Sequence, residues 1–190
     1  MPLAFRPKLD KILELLLYLA SVRPNADKYQ AVKFFYLADK EHLSRYGRPI
    51  TYETYYALEY GPVASSVMDF LNHSEVVMQR AGIKELPFET ESVARTGKPP
   101  LLYIRRPKRD VDFEVFSRSD LKVFDEIIAK YGDKSFDELY ELTHDHYAYK
   151  RAWGQRGNAR ASQMYYEDMV ESPDLREKLL ADVGPVAANL

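Results

Sequence analysis

The segment His144-Asp145-His146 has the strongest claim to metal chemistry in this chain. Two imidazoles two residues apart can share an ion if the backbone is extended. On a helix, residues two apart point to different sides and cannot. Leu139 and Leu142 upstream predict a helix, and no third ligand is placed by the sequence. A histidine packed at a helix end, its ring bonded to a backbone carbonyl, is the plainer arrangement. His42 is the second candidate. It follows the apolar run Ala31, Phe34, Phe35 and Ala38, and Asp39 or Glu41 could orient it as a base. No nucleophile stands at a matching spacing. His73 completes the histidines, and there is no cysteine. Thiolate metal sites, disulfides and cysteine nucleophiles are therefore excluded, which fits a reducing compartment. Glycine-rich phosphate loops, a G-x-S-x-G elbow and an H-E-x-x-H pair are all absent from the sequence. The reading at this level is of no catalytic residue, no cofactor and no resident metal.

The elements that would position these side chains follow from apolar spacing. Pro7 predicts the start of a first helix with Leu9, Ile12, Leu13, Leu16 and Ala20 on its inner face. Asp27 or Asn25 caps a second helix that runs to about Tyr46. Ala31 to Ala38 is apolar all round except for Lys33, the pattern of a helix buried among other elements. Gly47 is a left-handed stop and Arg48-Pro49 turns the chain away. Residues 50–58, rich in Tyr and Thr, predict an extended segment. Gly61-Pro62 reads as a turn, with Pro62 starting a helix through about Asn72.

Residues 74–86 are weakly helical in pattern, and residues 90–100, with Gly97, Pro99 and Pro100, read as a loop. Two short strands are expected at 101–105 and 113–116. Ser117, with Asp120 three residues on, caps a helix that Gly132 ends. Ser135 with Glu138 is a capping box for the next. A loop at 155–158, a helix at 162–169, a short helix at 173–181 and a frayed end at 185–190 complete the expectation.

The totals agree with a single mainly α (α+β) domain over residues 1–190, a compact helical unit with a small antiparallel β element. The 190 residues suffice for one core, with 46% hydrophobic and 29% charged residues. The formal net charge of −2 argues against nucleic acid as a partner. Charged residues at the N-terminus interrupt any signal-peptide pattern, and no apolar run is long enough to span a membrane. The expectation is a soluble cytoplasmic protein with no membrane partner.

Seven of the 15 tyrosines fall between Tyr29 and Tyr60, where half-buried or interface rings serve well. Six bases and no acid lie between Arg95 and Arg109, and six acids with two bases lie between Glu167 and Asp182. Both runs suit solvated elements: charge discourages edge-to-edge strand pairing, and a terminal helix tolerates it. The basic run is also a candidate patch for an acidic partner or nucleic acid.

The order of these features resembles the Panacea antitoxin domain, a phage-associated family. The resemblance is carried by Lys33-Phe34-Phe35-Tyr36-Leu37-Ala38, His42-Leu43, Tyr46-Gly47-Arg48-Pro49-Ile50 and Tyr60-Gly61-Pro62-Val63. It resumes at Ser117, Tyr131-Gly132, Ser135, Leu142-Thr143-His144 and Trp153. It covers about residues 9–153, leaving 154–190 as a C-terminal helical extension.

The resemblance implies a mainly helical domain that binds and neutralises a cognate protein toxin, often encoded beside it. One branch of the family acts as an adaptor delivering the toxin to an ATP-dependent protease through its unfoldase. An enzyme reversing the toxin's chemistry, using His42 or His144, is a further alternative. The family-signature positions are Lys33, Tyr36, His42, Gly47, Pro49, Tyr60, Gly61, Pro62, His144 and Trp153. Gly47, Pro49, Gly61 and Pro62 have backbone roles, and packing suits Tyr36 and Trp153. A partner surface is expected on Tyr52, Tyr55 and Tyr56, on the 90–100 loop, or on charged segments that include Arg105 and Arg106.

Overall fold

Residues 31–39 are all buried, and the helix that contains them is the axis about which the rest of the chain is laid. The computed structural model describes residue 3 and residues 5–183. The central helix, α2 (Lys28–Tyr46), begins at a capping box. Asp27 accepts from the Gln30 amide while the Gln30 side chain accepts from the Asp27 amide. It ends at Gly47, whose φ of 71° puts the stop in the left-handed region where glycine carries no Cβ penalty. The preceding helix, α1 (Leu9–Val22), packs its leucines into the same core. It starts two residues after Pro7.

After α2 the chain enters a small antiparallel sheet. Strand β1 (Tyr55–Leu58) pairs with β2 (Gly61–Ala64), with Leu58 opposite Gly61 and Tyr55 opposite Ala64. Pro62 therefore sits in a strand rather than at a helix start. It is tolerated because β2 is the edge of the sheet. Helix α3 (Ser65–Leu71) begins three residues later. Its N-terminal amides are capped from a distance: the buried Glu53 carboxylate accepts from Ser66 N at 2.9 Å and Val67 N at 3.2 Å. Only α4 (Glu75–Arg80) is helical within 74–86.

The expected loop at 90–100 is instead a hairpin of β3 (Phe88–Arg95) and β4 (Lys98–Pro107). Gly97 supplies the turn at φ 69°. Pro99 and Pro100 are accommodated because they fall at the register shift opposite Val93–Arg95, where the ladder is already interrupted. The strand expected at 113–116 is a 3₁₀ turn, Phe113–Val115. Helices α5 (Arg118–Tyr131) and α6 (Phe136–Asp145) carry the anticipated boxes, Ser117 with Asp120 and Ser135 with Glu138.

His146 forms an extended hinge into α7 (Tyr147–Gln155). The stretch 162–169, which the sequence pattern predicts as one helix, is helical only in its second half. It contains a strand, β5 (Ser162–Met164), which pairs antiparallel with the free edge of β1, giving the order β2-β1-β5. Then come α8 (Tyr166–Met169) and α9 (Pro173–Val183). Met164, Tyr166, Met169 and Val170 are buried in the main core, so the core continues past Trp153. The result is a mainly helical α+β fold. The expectation for 185–190 lies outside the described residues.

Candidate functional site

The sequence motif around Gly61 brings three distant segments to one point: α2, the β1–β2 turn and α6. Lys33 lies on α2 and is fully buried. Its Nζ donates to the carbonyls of Tyr60 at 2.7 Å and Pro62 at 2.8 Å, and sits 4.7 Å from the Tyr29 ring centroid. Burial pushes the Lys33 ammonium well below its usual pKa. Gly61 between those carbonyls has φ 97°. A Cβ there would stand 2.7 Å from Lys33 Nζ, 3.0 Å from Thr143 Oγ1 and 3.1 Å from His144 Cε1. Glycine is required both by the backbone angle and by the close approach of α2 and α6. This gives a physical reason for Lys33, Tyr60, Gly61, Pro62, Thr143 and His144 to occur together.

His144 closes the same cluster. Its Nδ1 faces the Tyr140 carbonyl at 2.7 Å and its Nε2 faces the Glu59 carbonyl at 3.0 Å. The ring stacks on Tyr140, centroids 3.6 Å apart, and leans on Tyr149 at 4.3 Å. Tyr149 in turn donates to Leu58 O and stacks along Trp153, over which Arg156 lies at 3.6 Å. His146 is aimed elsewhere: its Nδ1 meets the Tyr36 hydroxyl at 3.1 Å. Burial, chiefly, holds the His146 imidazole down at about 4. The two histidines therefore belong to separate hydrogen-bond systems, one in the last turn of α6 and one in the hinge after it. No group of three potential metal ligands occurs among the described residues.

His42 is buried and joins α2 to α5. Neither Glu41 nor Asp39 orients it. Its Nδ1 faces Arg48 O at 2.7 Å, while Nε2 faces Ser119 Oγ at 3.0 Å and Asp120 Oδ1 at 3.2 Å. A Ser-His-Asp relay needs the carboxylate and the hydroxyl on opposite ring nitrogens. Here both sit on one and a backbone carbonyl holds the other, so the ring acts as a strut. Asp120 also accepts from Lys11 at 2.7 Å, Arg48 at 2.8 Å and Ser117 N at 2.9 Å. Burial opposes its charge, but the bonds from His42 and Lys11 prevail and its carboxyl is held far below the usual range.

Asp39 anchors a further buried network that the sequence did not reveal. It accepts from Ile50 N and Thr51 N at 2.8 and 2.9 Å, from Thr51 Oγ1 at 2.5 Å, and from the hydroxyls of Tyr55 and Tyr166 at 2.9 and 3.2 Å. This corrects the expectation of partner contact by Tyr55, which is 1% exposed. Tyr52 is corrected too: it is 5% exposed, with its ring against Phe5 and beneath Lys8 Nζ. Tyr56 is half-buried in the middle strand of the sheet.

On the hairpin, Arg105 is tied to Glu91 and Asn25, while Lys108 pairs with Glu85 and Arg109 with Glu14. The basic run is thus half neutralised by acids brought from elsewhere. Arg106 is exposed, with no ion pair among the described residues. Sequence reading also passed over Phe136 and Tyr140, although with His144 they recur at every fourth residue and so had to share a helix face.

No helix among the described residues is long and apolar enough to cross a membrane. No curated protein and no solved structure is significantly similar to the chain. A family model described as "Antitoxin SocA-like, Panacea domain" matches residues 32–150, which span α2 to α7 and include the Lys33–Gly61–His144 cluster. The chain belongs to the SocA-like antitoxin family defined by the Panacea domain.

Proposed function

We propose that this protein is an antitoxin that neutralises a cognate protein toxin by direct, stoichiometric complex formation in the cytoplasm, with the toxin encoded beside it. Membership of the antitoxin family carries the reading. The histidine geometry supports binding over catalysis: both ring nitrogens of His144 face backbone carbonyls, and His42 braces two helices. Neither ring presents a nitrogen to an open position where a substrate could sit.

Such a complex inhibits by burying anchor side chains against the toxin and covering or distorting its active surface. The test is titrated co-expression with the product of the adjacent reading frame. Rescue of growth should need antitoxin at least equal in amount to toxin. Toxin should persist at full level, and the two should co-purify. Rescue by a small fraction of antitoxin would point to catalysis, and disappearance of the toxin to proteolytic delivery; either contradicts the proposal.

A further inference from the structure

The aromatic row on α6 ends in an exposed platform. Phe136, Tyr140 and His144 lie one turn apart, with ring centroids 6.1 Å and then 3.6 Å from each other. Tyr60, from the β1–β2 turn, meets Phe136 edge-on at 6.1 Å, and Tyr29 packs against it at 4.3 Å. Phe136 is 48% exposed and Tyr60 56% exposed. They are the only two exposed aromatic rings in contact with each other among the described residues. A water-facing pair of large rings is a poor use of apolar surface unless something covers it.

The platform is rigid from below. Lys33 clamps the Tyr60 carbonyl, and Gly61 is wedged between α2 and α6. A fixed aromatic anchor loses little conformational freedom on binding.

Its rim is acidic. Asp137 and Glu141 lie one residue beyond Phe136 and Tyr140, so they form a parallel row on the same helix. Glu59 precedes Tyr60 in the exposed β1–β2 turn, and its carbonyl meets His144 Nε2. None of these three has an ion-pair partner among the described residues. The neighbouring acids are already matched, Glu138 by Lys134, Asp145 by Lys150 and Asp133 by Arg23. Lys33, beneath, spends donors on two backbone carbonyls.

We propose that the Tyr60–Phe136–Tyr140 platform, edged by Glu59, Asp137 and Glu141, is the surface on which an arginine- or lysine-bearing segment of the toxin docks. Such a side chain lays its stem and cationic head on the ring faces and ends on the carboxylates. The rim would repel a nucleic acid or an acidic segment. The inference rests on the antitoxin reading above.

The test uses the full-length protein and the purified product of the adjacent reading frame. The variants are Asp137→Lys/Glu141→Lys, Phe136→Ala and, as a control on α4, Val76→Ala, each checked for an unchanged melting temperature. The charge reversals touch exposed side chains, so they remain informative if Phe136→Ala loosens the fold. The charge-reversed protein should lose about tenfold or more in affinity for that product, together with most of the salt dependence of binding. Phe136→Ala should weaken binding comparably, and Val76→Ala should bind as wild type.

Affinities within about twofold of wild type for both platform variants would overturn the proposal. So would a wild-type protein that self-associates through this face, with the charge reversal restoring monomers. If the wild type itself neither binds nor rescues growth, the antitoxin reading fails first and this inference falls with it.

Discussion

Lys33, His42 and His144 spend their polar atoms on internal bonds, and Gly61 is wedged against Lys33 and α6, which changes what substitution there should do. Gly61→Ala introduces a Cβ at a positive φ, 2.7 Å from a clamped Lys33 Nζ. We expect a loss of about 2–4 kcal/mol in chemical denaturation, from backbone strain and from displacing the bonds of Lys33. A loss under about 0.5 kcal/mol would mean that the cluster is looser than its distances indicate.

His146 gives a pH signature. The unfolded chain takes up this proton near 6.5, the folded chain only at about 4. Between those values the unfolded state binds more protons, so stability falls as pH drops through that window. The drop attributable to His146 is about 2 kcal/mol once its partial exposure is allowed for. The groups facing it are Tyr36, Lys40, Asp145, Lys150 and Glu171, so the comparison must be made against His146→Asn. The difference in stability between wild type and that variant should change across pH 4–6.5, and a constant difference would contradict the assignment. Roles like these were only partly legible. Gly47 and Gly61 announce backbone needs in sequence, whereas Lys33 read as an interruption because its carbonyl acceptors lie 27 and 29 residues away.

Among the elements, those completed by local signals are legible in the sequence, and those that depend on distant pairing are not. The capping boxes at Ser117 and Ser135 and the left-handed stop at Gly47 are complete within a few residues, so their helices were visible in sequence. The β3–β4 hairpin is hidden in the sequence because Pro99 and Pro100 mimic a loop, and only the register shift opposite Val93–Arg95 excuses them. Strand β5 has three residues and no pattern of its own. It exists because β1 offers an open edge over a hundred residues earlier. The tyrosines at 52 and 55 read as surface for the same reason: their burial depends on Phe5, Asp39 and the 162–170 segment.

This last segment yields a prediction. A chain truncated after residue 158 loses β5 and the buried Met164, Tyr166, Met169 and Val170, and leaves Asp39 without the Tyr166 hydroxyl. It should be destabilised by several kcal/mol and recovered mostly in aggregates, at roughly 1.5–3 kcal/mol for each large apolar side chain lost. A truncated chain that melts cooperatively near the full-length temperature would show that the core does not need the segment after residue 158.

The whole molecule joins a well-braced helical core to an exposed aromatic face edged by acids. The core spends its histidines, Asp39, Asp120 and Lys33 on internal bonds, and the accessible chemistry left on α6 suits adhesion better than turnover. Fold class and family were legible because ordered local motifs survive in sequence. The docking face was not, because it is assembled from Tyr29, Tyr60 and α6 only after folding. The central claim is stoichiometric neutralisation by binding, and titrated co-expression with the adjacent gene product tests it most directly. The account predicts that growth returns only when antitoxin matches toxin in amount, with undiminished toxin recovered in complex with it. Full rescue at a small fraction of the toxin level, or rescue without any recoverable complex, would contradict it.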